Sequence, residues 1–175
     1  GVQAVAEANY GRTDAAMWYV DRIAQTFNRV APGSISEMMP DYGCFTMGWT
    51  SYGIGLPLIE HVFGVQPDAA NKTIVFEPHL PSGWEQIGIE DLPVGTNLLS
   101  LSRTRTGAGV VYDIEAKETG WSFVLRERAS RDTKYFLNGR QIHPPPSGIR
   151  MDGSKNRVLI TQDANVRKVQ FRSVR

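Results

Sequence analysis

The sequence predicts an α+β chain, with helices first and an antiparallel β-sandwich of about a hundred residues after them. Three observations carry that expectation. The apolar spacing is helical before Gly64 and breaks into short alternating runs beyond it. Turn-forming pairs, Thr106-Gly107, Thr119-Gly120 and Asn138-Gly139, separate those runs. Charge divides at the same place. Residues 1–63 carry three basic and six acidic side chains, and residues 64–175 carry sixteen basic and twelve acidic. The expected domains are therefore residues 1–63 and residues 64–175.

Three helices are legible in the first part. Val2, Val5, Ala6 and Tyr10 share one helical face, and Gly11 ends that segment. Thr13 is placed to cap a second helix, with Asp14 in its first turn. Met17, Val20, Ile23, Ala24 and Phe27 form its apolar stripe. A third helix is expected from Thr46 to Phe63, closed by Gly64. Pro57 should kink it or divide it, because proline removes a helix donor and its ring crowds the preceding turn. Met47, Trp49, Tyr52, Ile54, Leu58 and Val62 leave this helix apolar almost all round, so it expects cover on several sides.

The second part reads as strands over residues 73–77, 97–105, 109–116, 122–127, 134–137, 157–161 and 167–172. Ser100, Ser102 and Thr104 alternate with Leu99, Leu101 and Arg103, as on a half-buried strand. Asn138-Gly139 is a two-residue hairpin turn between KYFL and RQI. His143 to Gly148, HPPPSG, is expected as a polyproline-like surface loop.

Composition removes several function classes. The apolar fraction of 41% in 175 residues supports a packed core. A net charge of +1 lacks the basic excess of a nucleic-acid binder. No run of about 18 apolar residues offers a membrane span, and one cysteine forms no internal disulfide framework. The opening GVQAVAEANYGRTD carries acids and has no basic stretch leading into an apolar one. It reads as part of a helix, so the chain is expected to be a piece of something larger.

The stretch PGSISEMMPDYGCFTMGW, residues 32–49, is where chemistry concentrates. Glu37 stands beside Met38 and Met39 and near Tyr42, Phe45 and Trp49. Desolvation by such neighbours raises a carboxyl pKa toward the range that acid/base work on sugars needs. Aromatic faces stack on a sugar's CH face while polar groups take its hydroxyls. Read from its neighbours alone, Glu37 is either such a carboxyl or a solvated loop acid. Asp41 and Tyr42 bind sugar hydroxyls or simply form the turn Pro40-Asp41-Tyr42-Gly43. Trp49 is a sugar platform or a core residue.

Ser34-Ile35-Ser36-Glu37, then Gly43-Cys44, then Gly48-Trp49-Thr50 resemble the end of the catalytic barrel in six-hairpin glycosidases. Amylo-α-1,6-glucosidase domains of the glycogen-debranching type have a similar run, and bacterial α-L-rhamnosidases a related one ending His-Gly-Trp-Ser. AEANYGRTDAAMWYVDRI looks like the preceding helical hairpin. FGVQPDAANKTIVFEPHLPSGWEQIGIEDLPVG looks like the passage into the C-terminal β-domain of those enzymes. The resemblance spans roughly residues 2–127. It implies that residues 1–63 are the last helical hairpins of an (α/α)6 barrel and that residues 64–175 are a C-terminal β-sandwich domain. It implies an inverting glycosidase in which Glu37 is the general base. The general acid would then stand about 6.5–9.5 Å away, on an earlier hairpin outside this chain. These residues alone are expected to be inactive. Asp41, Tyr42 and Trp49 would bind the substrate. Met47 stands where the rhamnosidases have His and the debranching enzymes Gln, so the motif does not name the sugar.

Other residues read more simply. His61, His79 and His143 lack ligand spacing, and Asp68, Glu77, Glu85, Glu90 and Asp91 are too dispersed for calcium, so neither metal nor cofactor is expected. Cys44 reads as a small buried side chain. Glu60 and His61 are neighbours on a helix and do not face one another. The expected partners are a carbohydrate substrate and either the rest of the barrel or another copy covering the helices. The compartment is left open. The rival reading is a β-sandwich module that binds carbohydrate, with Trp84 and Trp121 as its platform, or that serves structure alone.

Overall fold

The computed structural model describes residues 1–37, 43–44, 47–128, 133–142, 149–152, 157–162 and 168–174. The chain is α+β, with three α-helices among the described residues and a β-rich region that is mostly antiparallel. It divides into two compact units, residues 1–64 with 79–82, and residues 65–78 with 83–175.

In the first unit, α1 (Val2–Asn9) turns sharply into α2 (Thr13–Ala24). The corner is fixed by Arg12, whose N–H donates to the Glu7 carbonyl (2.9 Å) and whose guanidinium meets the Glu7 carboxylate (2.5 Å). Gln3 Nε2 donates to the other Glu7 oxygen (2.7 Å), so this buried acid has partners on both oxygens. The tight corner also corrects the expected cap. Arg12 is the N-cap of α2, Thr13 is already helical, and no side chain bonds the first turn.

The buried faces differ from the expected stripes. α1 buries Ala4, Glu7 and Ala8, and α2 buries Ala16 and Val20. Val2, Tyr10 and Phe27 are exposed. Small residues let two helix backbones approach closely, and the larger apolar side chains are left on the outer faces.

α3 (Gly48–Leu56) continues as a π-helical turn, Pro57–Val62. Pro57 has no N–H for the α-helical bond, and the following turn widens until Phe63 N–H reaches the Leu58 carbonyl (2.8 Å). The run is thus divided at Pro57 by a change of hydrogen-bond step, at the residue where the sequence suggested a kink or a break. Gly64 follows at φ +65°, the left-handed turn that ends a helix. Thr46, the expected start of α3, lies outside the described residues, as does the HPPPSG loop.

The second unit holds two sheets. The first has the order β1 (Val65–Asp68), β2 (Thr73–Phe76), β6 (Ser122–Arg128), β10 (Arg157–Gln162), β9 (Ile149–Asp152). The second has β3 (Gln86–Val94), β4 (Asn97–Thr106), β5 (Gly109–Ala116), β11 (Lys168–Val174), β7 (Lys134–Leu137), β8 (Arg140–Ile142). The pairing is antiparallel except for β2 against β6, which run parallel with Thr73 opposite Ser122. Asn138 at φ +48° and Gly139 at +78° form the expected hairpin turn between β7 and β8.

Three strands lie outside the expected set, and two of them, β1 and β3, escape the alternation rule. β1 contains Pro67 and buries only Val65. β3 contains Gly88 and Pro93, and a bulge between Ile89 and Leu92 breaks its period of two, with Asp91 at φ +52°. β9 is four residues long.

The core of this unit is aromatic and aliphatic: Trp121, Tyr112, Tyr135, Phe76, Phe171 and Leu99 are all nearly inaccessible. Burying each such side chain contributes about 1.5–3 kcal/mol relative to exposure. Tyr112 on β5 donates its hydroxyl to Glu127 on β6, joining the two sheets, and accepts from Arg103 Nε (3.1 Å). Burial, reinforced by the Glu127 charge, pushes the Tyr112 phenol well above its usual range.

Candidate functional site

Glu37 sits at the end of a segment anchored from behind. After α2 the chain makes a closed loop. Asn28 N–H donates to the Ser34 carbonyl (3.0 Å), Gly33 N–H to Asn28 Oδ1 (2.5 Å), and Ser34 Oγ to the Ala31 carbonyl (2.8 Å). Ser34, Ile35 and Ser36 are buried. Ile35 then accepts a hydrogen bond from Met47 N–H (3.0 Å), just ahead of α3. Two well-fixed strands of chain thus lead into the Glu37 loop and out of it.

Within that loop Glu37 and Cys44 grip one another. Glu37 N–H donates to the Cys44 carbonyl (2.9 Å), and Cys44 N–H donates to Glu37 Oε2 (3.0 Å). Oε1 makes no hydrogen bond among the described residues. The side chain is exposed. One carboxylate oxygen is held by backbone and the other has no hydrogen bond among the described residues, an arrangement that can accept a proton from a bound water.

The apolar surround expected around Glu37 does not bury it. Met38, Met39, Phe45 and two of the expected substrate residues, Asp41 and Tyr42, lie outside the described residues. Trp49 is in the first turn of α3, but its side chain is likewise outside them. The described geometry therefore fixes Glu37 alone of the four site residues. Cys44, expected buried, is exposed; its contribution to Glu37 comes through its backbone. Gly43 and Cys44 enter the site through main-chain geometry, which side-chain chemistry does not advertise. The available signal was the Gly-Cys pair itself.

Elsewhere in this unit, Asp14 accepts from both Ser82 N–H and Ser82 Oγ (2.6 Å each), which hold its carboxyl below the usual range. His79 N–H donates to the His61 carbonyl (3.1 Å), so residues 79–82 fold back onto the helices. Glu60 is exposed and His61 half-buried.

Trp121 is buried, with no partner for its Nε1 among the described residues, and cannot serve as a platform; Trp84 stays exposed. A shallow cleft on the second sheet is lined by Ile89 and Leu101 as well as Glu90, Ser102, Asp113 and Lys168, without an aromatic ring. Among the described residues no group of three or more His, Cys, Asp or Glu side chains gathers to hold a metal ion, and no helix is long and apolar enough to cross a membrane.

No protein-family model matches the chain, and no curated protein sequence matches it either. Among solved structures it is similar to the α-L-rhamnosidase from Dictyoglumus thermophilum, with a TM-score of 0.56 and 11% sequence identity over 77% of this chain. At that identity the likeness is one of fold. The chain spans 15% of the length of that enzyme.

Proposed function

We propose that this chain is the C-terminal part of a glycoside hydrolase, with Glu37 as the general base of an inverting reaction. The observation that supports it most is the fold shared with an α-L-rhamnosidase. It agrees with the order of Ser34–Glu37, Gly43-Cys44 and Gly48–Thr50 along the chain and with the anchored carboxylate of Glu37. On this reading residues 1–63 end an (α/α)6 barrel, as in rhamnosidase and debranching-type enzymes, and residues 64–175 form its β-sandwich domain. Val2, Tyr10, Trp18 and Phe27, all exposed, are then covered by the remaining barrel helices or by another copy.

The chemistry is a single displacement. A water oxygen bonds to the anomeric carbon as the glycosidic C–O bond breaks. Glu37 takes the proton from that water, and an acid on the missing hairpins gives a proton to the departing oxygen. Asp41 and Tyr42 would take hydroxyls of the sugar, and Trp49 would stack on its ring. No cofactor is required. The isolated 175 residues are inactive, because the acid is not among them.

The test uses the full-length protein that carries this sequence, assayed on a panel of aryl α-glycosides that includes rhamnoside and glucoside. Glu37→Gln should lower kcat by about a hundred- to ten-thousand-fold. KM should change little, because glutamine keeps size and hydrogen bonding. Azide should restore part of the turnover by attacking from the water's side. A kcat within a few-fold of the parent would show that the base lies elsewhere.

A further inference from the structure

The place where residue 43 would carry a side chain is occupied by Glu37. A Cβ on Gly43 would lie 2.4 Å from Oε2, 3.0 Å from Cβ and 3.1 Å from Cδ of Glu37. Gly43 also stands at φ +78°, where L side chains are strained. The same turn aims Cys44 N–H at Oε2 (3.0 Å) and brings the Cys44 carbonyl to Glu37 N–H (2.9 Å). Glu37 therefore lies over the bare backbone of Gly43, with Oε2 held and Oε1 making no hydrogen bond among the described residues.

We propose that Gly43 is a positioning residue for Glu37. The missing side chain is the seat of the carboxylate, and the peptide N–H that follows it fixes Oε2 so that Oε1 receives the proton. This rests on the glycosidase reading above. An alanine here would push the carboxylate about 1 Å, from 2.4 Å out to an ordinary contact of 3.4 Å. A displacement of about 1 Å at a reacting group costs roughly a hundred-fold in rate.

Gly33 supplies the control. Its φ is +75°, nearly that of Gly43, yet nothing lies within 4 Å of a Cβ built there. Gly33→Ala carries the same backbone strain without touching Glu37.

The experiment compares Gly43→Ala, Gly33→Ala, Glu37→Gln and the double variant Glu37→Gln/Gly43→Ala in the full-length protein. Turnover and hydrogen exchange of the Cys44 amide are both read. Gly43→Ala should lower kcat roughly a hundred-fold with KM nearly unchanged, and Gly33→Ala should keep kcat within about three-fold. The double variant should be no slower than Glu37→Gln, because both changes act through one carboxylate. Cys44 exchange should quicken by about ten-fold or more in Gly43→Ala and stay put in Gly33→Ala. If Gly43→Ala does not fold, Gly43→Asn carries the same Cβ on a residue that tolerates the left-handed backbone, and the same losses are expected. A Gly43 variant that keeps kcat, or one that slows Glu37→Gln as much as the parent, overturns the proposal. If Glu37→Gln itself keeps its turnover, the general-base reading fails on its own. The seat is then judged by Cys44 exchange alone: unchanged protection in Gly43→Ala overturns it, and faster exchange upholds it.

Discussion

The two units bury opposite kinds of side chain. In the β-unit the largest residues are inside: Trp121, Tyr112, Tyr135, Phe76 and Phe171 are each at most 2% exposed. In the helical unit the inside is made of Ala4, Ala8, Ala16, Val20, Ile35 and Val62, while Tyr10 is 80% and Trp18 56% exposed. Trp18 instead lies edge-on to Tyr19 with the Arg22 guanidinium over its ring (5.2 Å). A sheet pair closes a core by itself, because each sheet presents one apolar face to the other. Helices that are apolar on several faces need more neighbours than three helices supply. The contrast shows which unit carries its own stability and which has apolar surface left over.

The largest effect should separate the units outright. Trp121→Ala or Phe171→Ala should cost about 3–5 kcal/mol in chemical denaturation followed by tryptophan or tyrosine fluorescence. Trp18→Ala should stay within about 0.5 kcal/mol in the same chain. A large loss for Trp18→Ala would mean that the helical unit has already closed a core around it.

Next comes the narrow seam between α1 and α2. Ala16 is 1% exposed, so Ala16→Leu should cost about 1–3 kcal/mol by overpacking. Loss of helical circular dichroism at lower denaturant, with the β signal unmoved, would mark the helical unit as the part that fails.

The link between sheets should matter less. Tyr112→Phe removes the hydroxyl between Glu127 and Arg103 and should cost about 1 kcal/mol. The pH dependence carries a sign. The Tyr112 phenol is raised in the folded chain, so its contribution is complete below the unfolded value of 10.0. It is lost as pH rises above that, since only the unfolded state then ionises readily. Thermal melts from pH 9 upward should therefore fall less steeply in Tyr112→Phe.

The smallest effect belongs to an exposed pair. Asp14 is lowered by Ser82, so its contribution is present above the unfolded value of 3.8 and fades as pH falls through the lower folded one. Ser82→Ala removes the Oγ bond and keeps the N–H bond, so the Asp14 carboxyl titration, followed by NMR, should move part of the way back toward its ordinary value. Global stability at neutral pH should hardly change.

Much of this was legible residue by residue. The stretch after Thr13 reads as a helix because Met17, Val20 and Ile23 recur at 3.6 residues, and a helix forms over Thr13–Ala24. Leu99 and Leu101 alternate with serines because one face of β4 is buried, and the structure buries both leucines. Asn138-Gly139 announces its hairpin because few other residues accept that backbone. Two of the strands that were missed carry Pro67, or Gly88 with Pro93 and a bulge, and each removes the period on which the reading depends. Of the candidate site, Glu37 was legible from its motif. The grip of Cys44 on its carboxylate was not, since a backbone N–H is the same in every residue.

The sequence by itself determined where helices give way to strands and which strand faces are apolar, and it placed Glu37 in the loop ahead of α3. These follow from local periodicity and from turn residues whose backbone preferences act over a few positions. Tertiary structure alone decided the rest. It turned α1 to bury Ala4 and Ala8 and expose Val2, set β2 parallel to β6, and made the turn after Pro57 π-helical. It also laid the Glu37 carboxylate over Gly43. Each of these depends on what lies across the fold, and contacts between distant residues leave no period in the chain to be read.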